Sequence, residues 1–207
     1  MKRTRIKICG ITREADLASA ARRGADAVGL VFYRRSPRVV TLDCAAELAA
    51  STPPFVSVVA LFVNPDPEEV HSVLERIRPD LLQFHGDEPP EFCESFGAPY
   101  LKAARVGPRL DLLQYARKYQ SARALLLDAD TEGYGGGGNT FDWGLVPPGL
   151  TLPVILSGGL TPENVVDAVR RVRPWAVDVS SGVESAKGLK DDAKIAAFCE
   201  GVSFADV

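Results

Sequence analysis

The chain has 207 residues, 46% of them hydrophobic and 25% charged, with a formal net charge of -3. That length suits one domain with a sizeable core and is short for two, so 1–207 reads as a single domain. The slightly acidic balance argues against a nucleic-acid partner, which needs a basic excess. The most apolar stretch, Phe55 to Val63, is too short to span a bilayer, so no membrane association is expected. The basic start Met1-Lys2-Arg3-Thr4-Arg5 is not followed by an apolar run of signal-peptide type, because Lys7, Gly10 and Thr12 interrupt it. Cys9, Cys44, Cys93 and Cys199 are scattered, with no metal-ligand spacing, and reduced thiols in a cytoplasmic protein are the simplest reading.

Short apolar runs of strand length alternate with longer helical stretches along the whole chain. Arg5–Cys9 is the first run and ends in Cys9-Gly10. Ala27–Val31 follows, with Ser36-Pro37-Arg38 beyond it. Val56–Phe62 is the third. After it Val70, Val73, Leu74 and Ile77 fall on one helical face. Leu81–Phe84 leads into His85-Gly86, and Tyr100–Ala103 is the fifth run. Leu112, Tyr115, Ala116 and Tyr119 form the next apolar stripe. Ala124–Asp128 ends on a carboxylate and precedes the glycine run Gly135 to Gly138. Pro153–Leu156 opens into Ser157-Gly158-Gly159, and Ala176–Val179 into Ser180-Ser181-Gly182. Ile195, Phe198, Cys199 and Val202 give the last helix its buried face.

Strands separated by helices must run parallel, and this alternation suits a closed (β/α)8 TIM barrel near the lower end of its usual length. An open doubly wound sheet is the competitor, but no Gly-x-Gly-x-x-Gly follows the first run. In such a barrel the chemistry sits at the C-terminal ends of the strands. The Gly/Ser-rich loops after the last two strands suit a phosphate, which backbone N–H groups can approach closely at glycine, although glycine also serves plain tight turns. Gly158, Gly159, Ser181 and Gly182 are the candidates there, with Gly136 and Gly138 as further contributors.

The other candidates each have two readings. Cys9 is either a small buried hydrophobe or a catalytic thiol. Asp128 follows Leu125-Leu126-Leu127, where scarce water can keep a carboxyl protonated and usable as an acid; a turn or cap is the alternative. His85 can polarise a substrate or bond its own loop. Arg38 can clamp an anion through its planar fork or merely be solvated, as Arg34 and Arg35 are expected to be. Alternation along the strands also places Lys7 and Cys9 on the barrel interior, with Ile6 and Ile8 toward the helices. It turns Asp178 inward as well. Barrel closure brings the first and last strands together, so Lys7 and Asp178 are expected to pair, and Lys7 is a candidate for lowering the Cys9 pKa.

Taken in order, these segments resemble the phosphoribosylanthranilate isomerase family. Ile6-Lys7-Ile8-Cys9-Gly10-Ile11-Thr12 is similar to its signature start, and Phe32 through Arg38 to its second loop. Leu82-Gln83-Phe84-His85-Gly86 resembles its fourth-strand end, with Phe84 where Leu is more familiar. Leu126-Leu127-Asp128 and Phe141-Asp142-Trp143 resemble the sixth unit. Ser157 to Asn164 and Val177 to Glu184 resemble the last two. Two segments depart: Gly135 to Thr140 lacks a Gly-Thr-Gly pattern, and Ala186 to Asp191 replaces a Pro-Gly-x-Lys-Asp pattern.

The resemblance implies an Amadori rearrangement of N-(5-phosphoribosyl)anthranilate in tryptophan biosynthesis. It makes Asp128 the general acid and Cys9 the general base, with Arg38 on the anthranilate part. It implies a small phosphosugar as the only partner, no metal and no organic cofactor. Monomer and homodimer both stay open. The competing enzyme is a histidine-pathway isomerase barrel, which would use carboxylates for both roles. A non-catalytic phosphosugar-binding barrel would keep the loops without needing Cys9 or Asp128.

Overall fold

The computed structural model describes residues 3–129 and 140–206. Eight parallel strands close into a barrel in sequence order. They are β1 (Arg5–Cys9), β2 (Ala27–Val31), β3 (Ser57–Phe62), β4 (Leu81–Phe84), β5 (Tyr100–Val106), β6 (Ala124–Ala129), β7 (Val154–Leu156) and β8 (Ala176–Val179). The helices between them are α1 (Glu14–Arg22), α2 (Leu42–Ala50), α3 (Pro67–Ile77), α4 (Pro90–Glu94), α5 (Leu112–Lys118) and α6 (Val165–Val172). After β8 come a small antiparallel hairpin, β9 (Glu184–Ala186) and β10 (Leu189–Lys190), and the terminal α7 (Asp192–Ala205). Among the described residues, no helix is long and apolar enough to cross a membrane.

Local chemistry explains most boundaries. Pro67 and Pro90 open α3 and α4, where a missing N–H costs nothing. Thr41, Asp111 and Asp191 cap α2, α5 and α7 by accepting from backbone N–H groups of the first turn. The described part of the β6–β7 connection holds only a 3-10 turn, Trp143–Leu145, where the strand–helix alternation predicts a helix. Pro147 and Pro148 follow directly, and the ring of each bars helical continuation. β3 starts one residue later than its apolar run, because Val56 N–H is bonded back to Pro53 O. β5 runs on to Val106 because β6 offers partners as far as Asp128 and Ala129.

Two shells of core follow from strand alternation. Outward residues such as Ile6, Ile8, Leu125, Leu127, Val177 and Val179 pack under the helices with Ile195, Phe198, Cys199 and Val202. Phe84 also points outward, where its ring meets Phe92, Phe96 and Tyr100 in an aromatic cluster. Inside the barrel, Val59, Leu101, Ala103, Ala124, Leu126, Ile155 and Ala176 fill the end nearer the strand N-termini. Above them β1 meets β8 in the register Lys7↔Asp178, and Lys7 Nζ donates to Asp178 Oδ1 at 2.8 Å. Burial opposes the Lys7 charge, but Asp178 and Cys9 together hold its pKa above the ordinary lysine value. The C-terminal end of the interior carries Cys9, Val31, Leu61 and Val63.

Candidate active site

Cys9 closes β1 on an inward position and is buried. Its side chain has room because its β2 register partner is Gly29, where a Cβ would lie 2.7 Å from Cys9 Sγ. Burial pushes the thiol above its ordinary pKa. Lys7 and Lys190 pull it back, Asp178 adds to the rise, and burial prevails. The expected lowering by Lys7 is thus present but outweighed.

Asp128 closes β6 on the inward face and is also buried. Its Oδ1 accepts from Ala129 N–H at 2.9 Å. Its Oδ2 lies 3.0 Å from His85 Nε2, so the carboxylate that stands alone in its apolar run has a partner from β4. His85 Nδ1 is held in turn by the Gln83 amide nitrogen at 2.9 Å. The turn that carries His85 is pinned from behind. Lys102 faces outward from β5, fully buried, and donates to Gly86 O at 2.6 Å and to Glu88 Oε2 at 2.8 Å. Glu88 Oε1 accepts from Asn64 N–H at 2.8 Å and Gly86 N–H at 3.1 Å.

Arg38 is buried and already engaged, whereas Arg34 and Arg35 are exposed. Its Nε and Nη2 donate to the two oxygens of Glu184 at 2.7 and 2.8 Å, a two-pronged pair. That hydrogen bonding raises the Arg38 pKa above its ordinary value. Lys190, delivered by β10, donates to Glu184 Oε1 at 2.9 Å and to Ser180 O at 3.0 Å. Ser180 Oγ donates to Cys9 O at 3.0 Å, which ties this group to the end of β1. Burial works to raise Glu184, yet Arg38 and Lys190 hold it below the usual carboxylate range. Burial lowers Lys190.

The two Gly/Ser loops touch. A Cβ on Gly182 would lie 1.9 Å from Leu160 O. Gly158 and Gly159 have φ of +81° and +62°, and a Cβ on Gly158 would fall 2.9 Å from Asp128 Oδ1. The β7 loop is braced by Asn164, which accepts from Thr161 N–H at 2.8 Å and donates to Gly159 O at 2.9 Å. Ser181 opens the short 3-10 turn that contains Gly182. Gly136 and Gly138 lie outside the described residues.

Cys9, Arg38, His85, Asp128 and both loops therefore stand at the C-terminal ends of their strands, and His85 bonds Asp128 directly. Reasoning from the sequence passed over Gln83, Glu184 and Lys190 as site residues. Gln83 and Glu184 lay inside matched segments, each two residues from a candidate, His85 and Gly182, whereas Lys190 lay in a segment that departs from the family pattern.

A closed parallel barrel with a carboxyl, an imidazole and a thiol at its C-terminal mouth defines a (β/α)8-barrel enzyme. Residues 6–201 match the family profile described as N-(5'-phosphoribosyl)anthranilate (PRA) isomerase. A protein of that name from Leptothrix cholodnii is 62% identical over 204 residues, 99% of this chain and 93% of that one. The phosphoribosyl anthranilate isomerase of Thermotoga maritima superposes with a TM-score of 0.90 at 41% identity, over 97% of this chain and 99% of that one. Another isomerase of this name was solved with reduced 1-(o-carboxyphenylamino)-1-deoxyribulose 5-phosphate. It superposes with a TM-score of 0.87 at 38% identity, over 97% of this chain and 99% of that one. The chain belongs to the N-(5'-phosphoribosyl)anthranilate isomerase family, isomerases of tryptophan biosynthesis whose reaction is of the intramolecular oxidoreductase type.

Proposed function

We propose that this chain converts N-(5-phosphoribosyl)anthranilate into 1-(o-carboxyphenylamino)-1-deoxyribulose 5-phosphate, with Asp128 as general acid and Cys9 as general base. The observation that carries the reading is a buried carboxyl and a buried thiol on inward positions of different strands at one mouth. Ring opening needs a proton on the ribose ring oxygen while the anthranilate nitrogen pushes out the C1'–O bond. Asp128 supplies that proton. Cys9 then removes the C2' proton to give the enolamine, and a proton returning to C1' with loss of the C2' hydroxyl proton gives the ketone. The thiol is a strong base once ionised because burial disfavours its charge.

The remaining groups bind. Gly158, Gly159, Ser181 and Gly182 hold the phosphate through backbone N–H groups, with Gly136 and Gly138 as further contributors. Arg38, its fork steadied by Glu184, keeps its other N–H groups for the anthranilate carboxylate. No metal or organic cofactor takes part. The enzyme is cytoplasmic and works as a monomer or a homodimer. A thiol rather than a carboxylate at the end of β1 weighs against a histidine-pathway activity.

Loss of anthranilate fluorescence, with substrate generated in situ, measures the reaction. Cys9→Ser and Asp128→Asn should fold, bind product analogue and lose on the order of 10²–10⁴-fold in kcat, the span of general acid–base catalysis. A Cys9→Ser enzyme at nearly the wild-type rate would make Cys9 a core residue and remove it from the mechanism.

A further inference from the structure

Gln83 is fully buried on the inward face of β4 and meets one group of the candidate site, His85. Its amide nitrogen sits 2.9 Å from His85 Nδ1, and among the described residues its Oε1 has no hydrogen-bond partner. An imidazole proton goes to whichever nitrogen the other's partner leaves it. With the amide nitrogen donating, Nδ1 must be bare, so the ring proton lies on Nε2 and points at Asp128 Oδ2. Oδ2 is then an ionised acceptor, and the pair has no proton to give.

Turning the Gln83 amide over by half a turn changes this without changing its shape, because the two ends of a primary amide are nearly the same size. Oε1 then faces Nδ1 and accepts its hydrogen. The pair then takes up a second proton from solvent, and this proton lies between Nε2 and Oδ2, where Asp128 can deliver it. The half-turn exchanges one unpaired buried amide atom for the other. The proton shared by His85 and Asp128 therefore decides the orientation.

We propose that Gln83 is a positioning residue: it presents its amide oxygen to His85 Nδ1 and so keeps the His85–Asp128 pair loaded with the proton that the reaction uses. The proposal rests on Asp128 as the acid. The wild-type ring nitrogens test the amide independently of any rate, while the rate of Asp128→Asn tests the acid.

The chain has two histidines, which makes the nitrogen spectrum simple to read. Labelling histidine with 15N, and removing the exposed second ring with His71→Gln, isolates His85. In the resting enzyme at neutral pH, His85 Nδ1 should carry hydrogen. In Gln83→Leu the hydrogen should move to Nε2, kcat should fall about 10-fold or more, and KM should stay within about threefold, a partial loss of the acid's contribution. Gln83→Glu, when ionised, offers Nδ1 only acceptors and should restore both the Nδ1 hydrogen and most of kcat. A bare Nδ1 in the wild-type enzyme would overturn the proposal with no variant needed. So would a Gln83→Leu enzyme of unchanged kcat, or a Gln83→Glu enzyme no better than the leucine variant.

Discussion

Cys9 owes its place to what is missing opposite it. A Cβ at position 29 would lie 2.7 Å from Sγ and 3.1 Å from Cys9 Cα, closer than packed atoms allow. Gly29→Ala must push the thiol or the strand aside. Overpacking of this kind costs about 1–3 kcal/mol. It should also lower kcat by roughly 10-fold if the thiol is the base, since misplaced catalytic groups lose much of their effect. Urea denaturation and steady-state kinetics on one preparation read both. A variant with wild-type stability and rate would show that the strand yields freely at this point.

At the scale of elements, the site depends on loops that touch rather than on any one loop. Gly182 lies against the Leu160 carbonyl, and the atom that would be struck belongs to the backbone, which cannot swing away as a side chain can. Gly182→Ala should part the β7 and β8 loops and raise the KM for substrate by about 10-fold or more, with inorganic phosphate losing its ability to inhibit. That change is worth about 1.4 kcal/mol per factor of ten in binding. Unchanged phosphate inhibition would remove the loop pair from the phosphate site. The β9–β10 hairpin has a comparable role, because it brings Lys190 back to Glu184 and so steadies Arg38. Neither Lys190 nor its partner Glu184 was legible in the sequence as part of the site. Lys190 and Glu184 meet through the hairpin turn, whereas Glu184 and Arg38 are 146 residues apart in the chain.

Across the whole molecule, the Lys7–Asp178 pair marks the seam where the barrel closes. Lys7→Met leaves a buried carboxylate unpaired and should cost about 3–5 kcal/mol, whereas Lys7→Met with Asp178→Leu should recover much of that loss. Urea midpoints of the two variants decide it; equal losses would mean that the pair itself stabilises the seam. The buried thiols set the alkaline limit. Burial raises Cys199 to about 11 and Cys93 to about 12, and raises Cys9. An unfolded thiol titrates near ~8.5, so above that pH the unfolded chain releases protons that the native state keeps. Stability is therefore full below about pH 8.5 and falls as pH rises toward the folded values, by up to about 1.4 kcal/mol per pH unit for each thiol. Denaturation midpoints that stay level from pH 8 to pH 10.5 would contradict this.

The sequence by itself determined the eight strands, their parallel order and the inward or outward face of residues on the first and last of them. These follow from local apolar runs and a period of two, which neighbouring residues set among themselves. Even the Lys7–Asp178 pair was legible, since alternation and barrel closure suffice to place it. Tertiary structure alone decided how the site is wired. Whether His85 meets Asp128, whether Glu184 occupies the fork of Arg38, and whether burial outweighs Lys7 at Cys9 depend on strand register and on solvent exclusion. Those are properties of residues far apart in the chain, and they exist only once the barrel has closed.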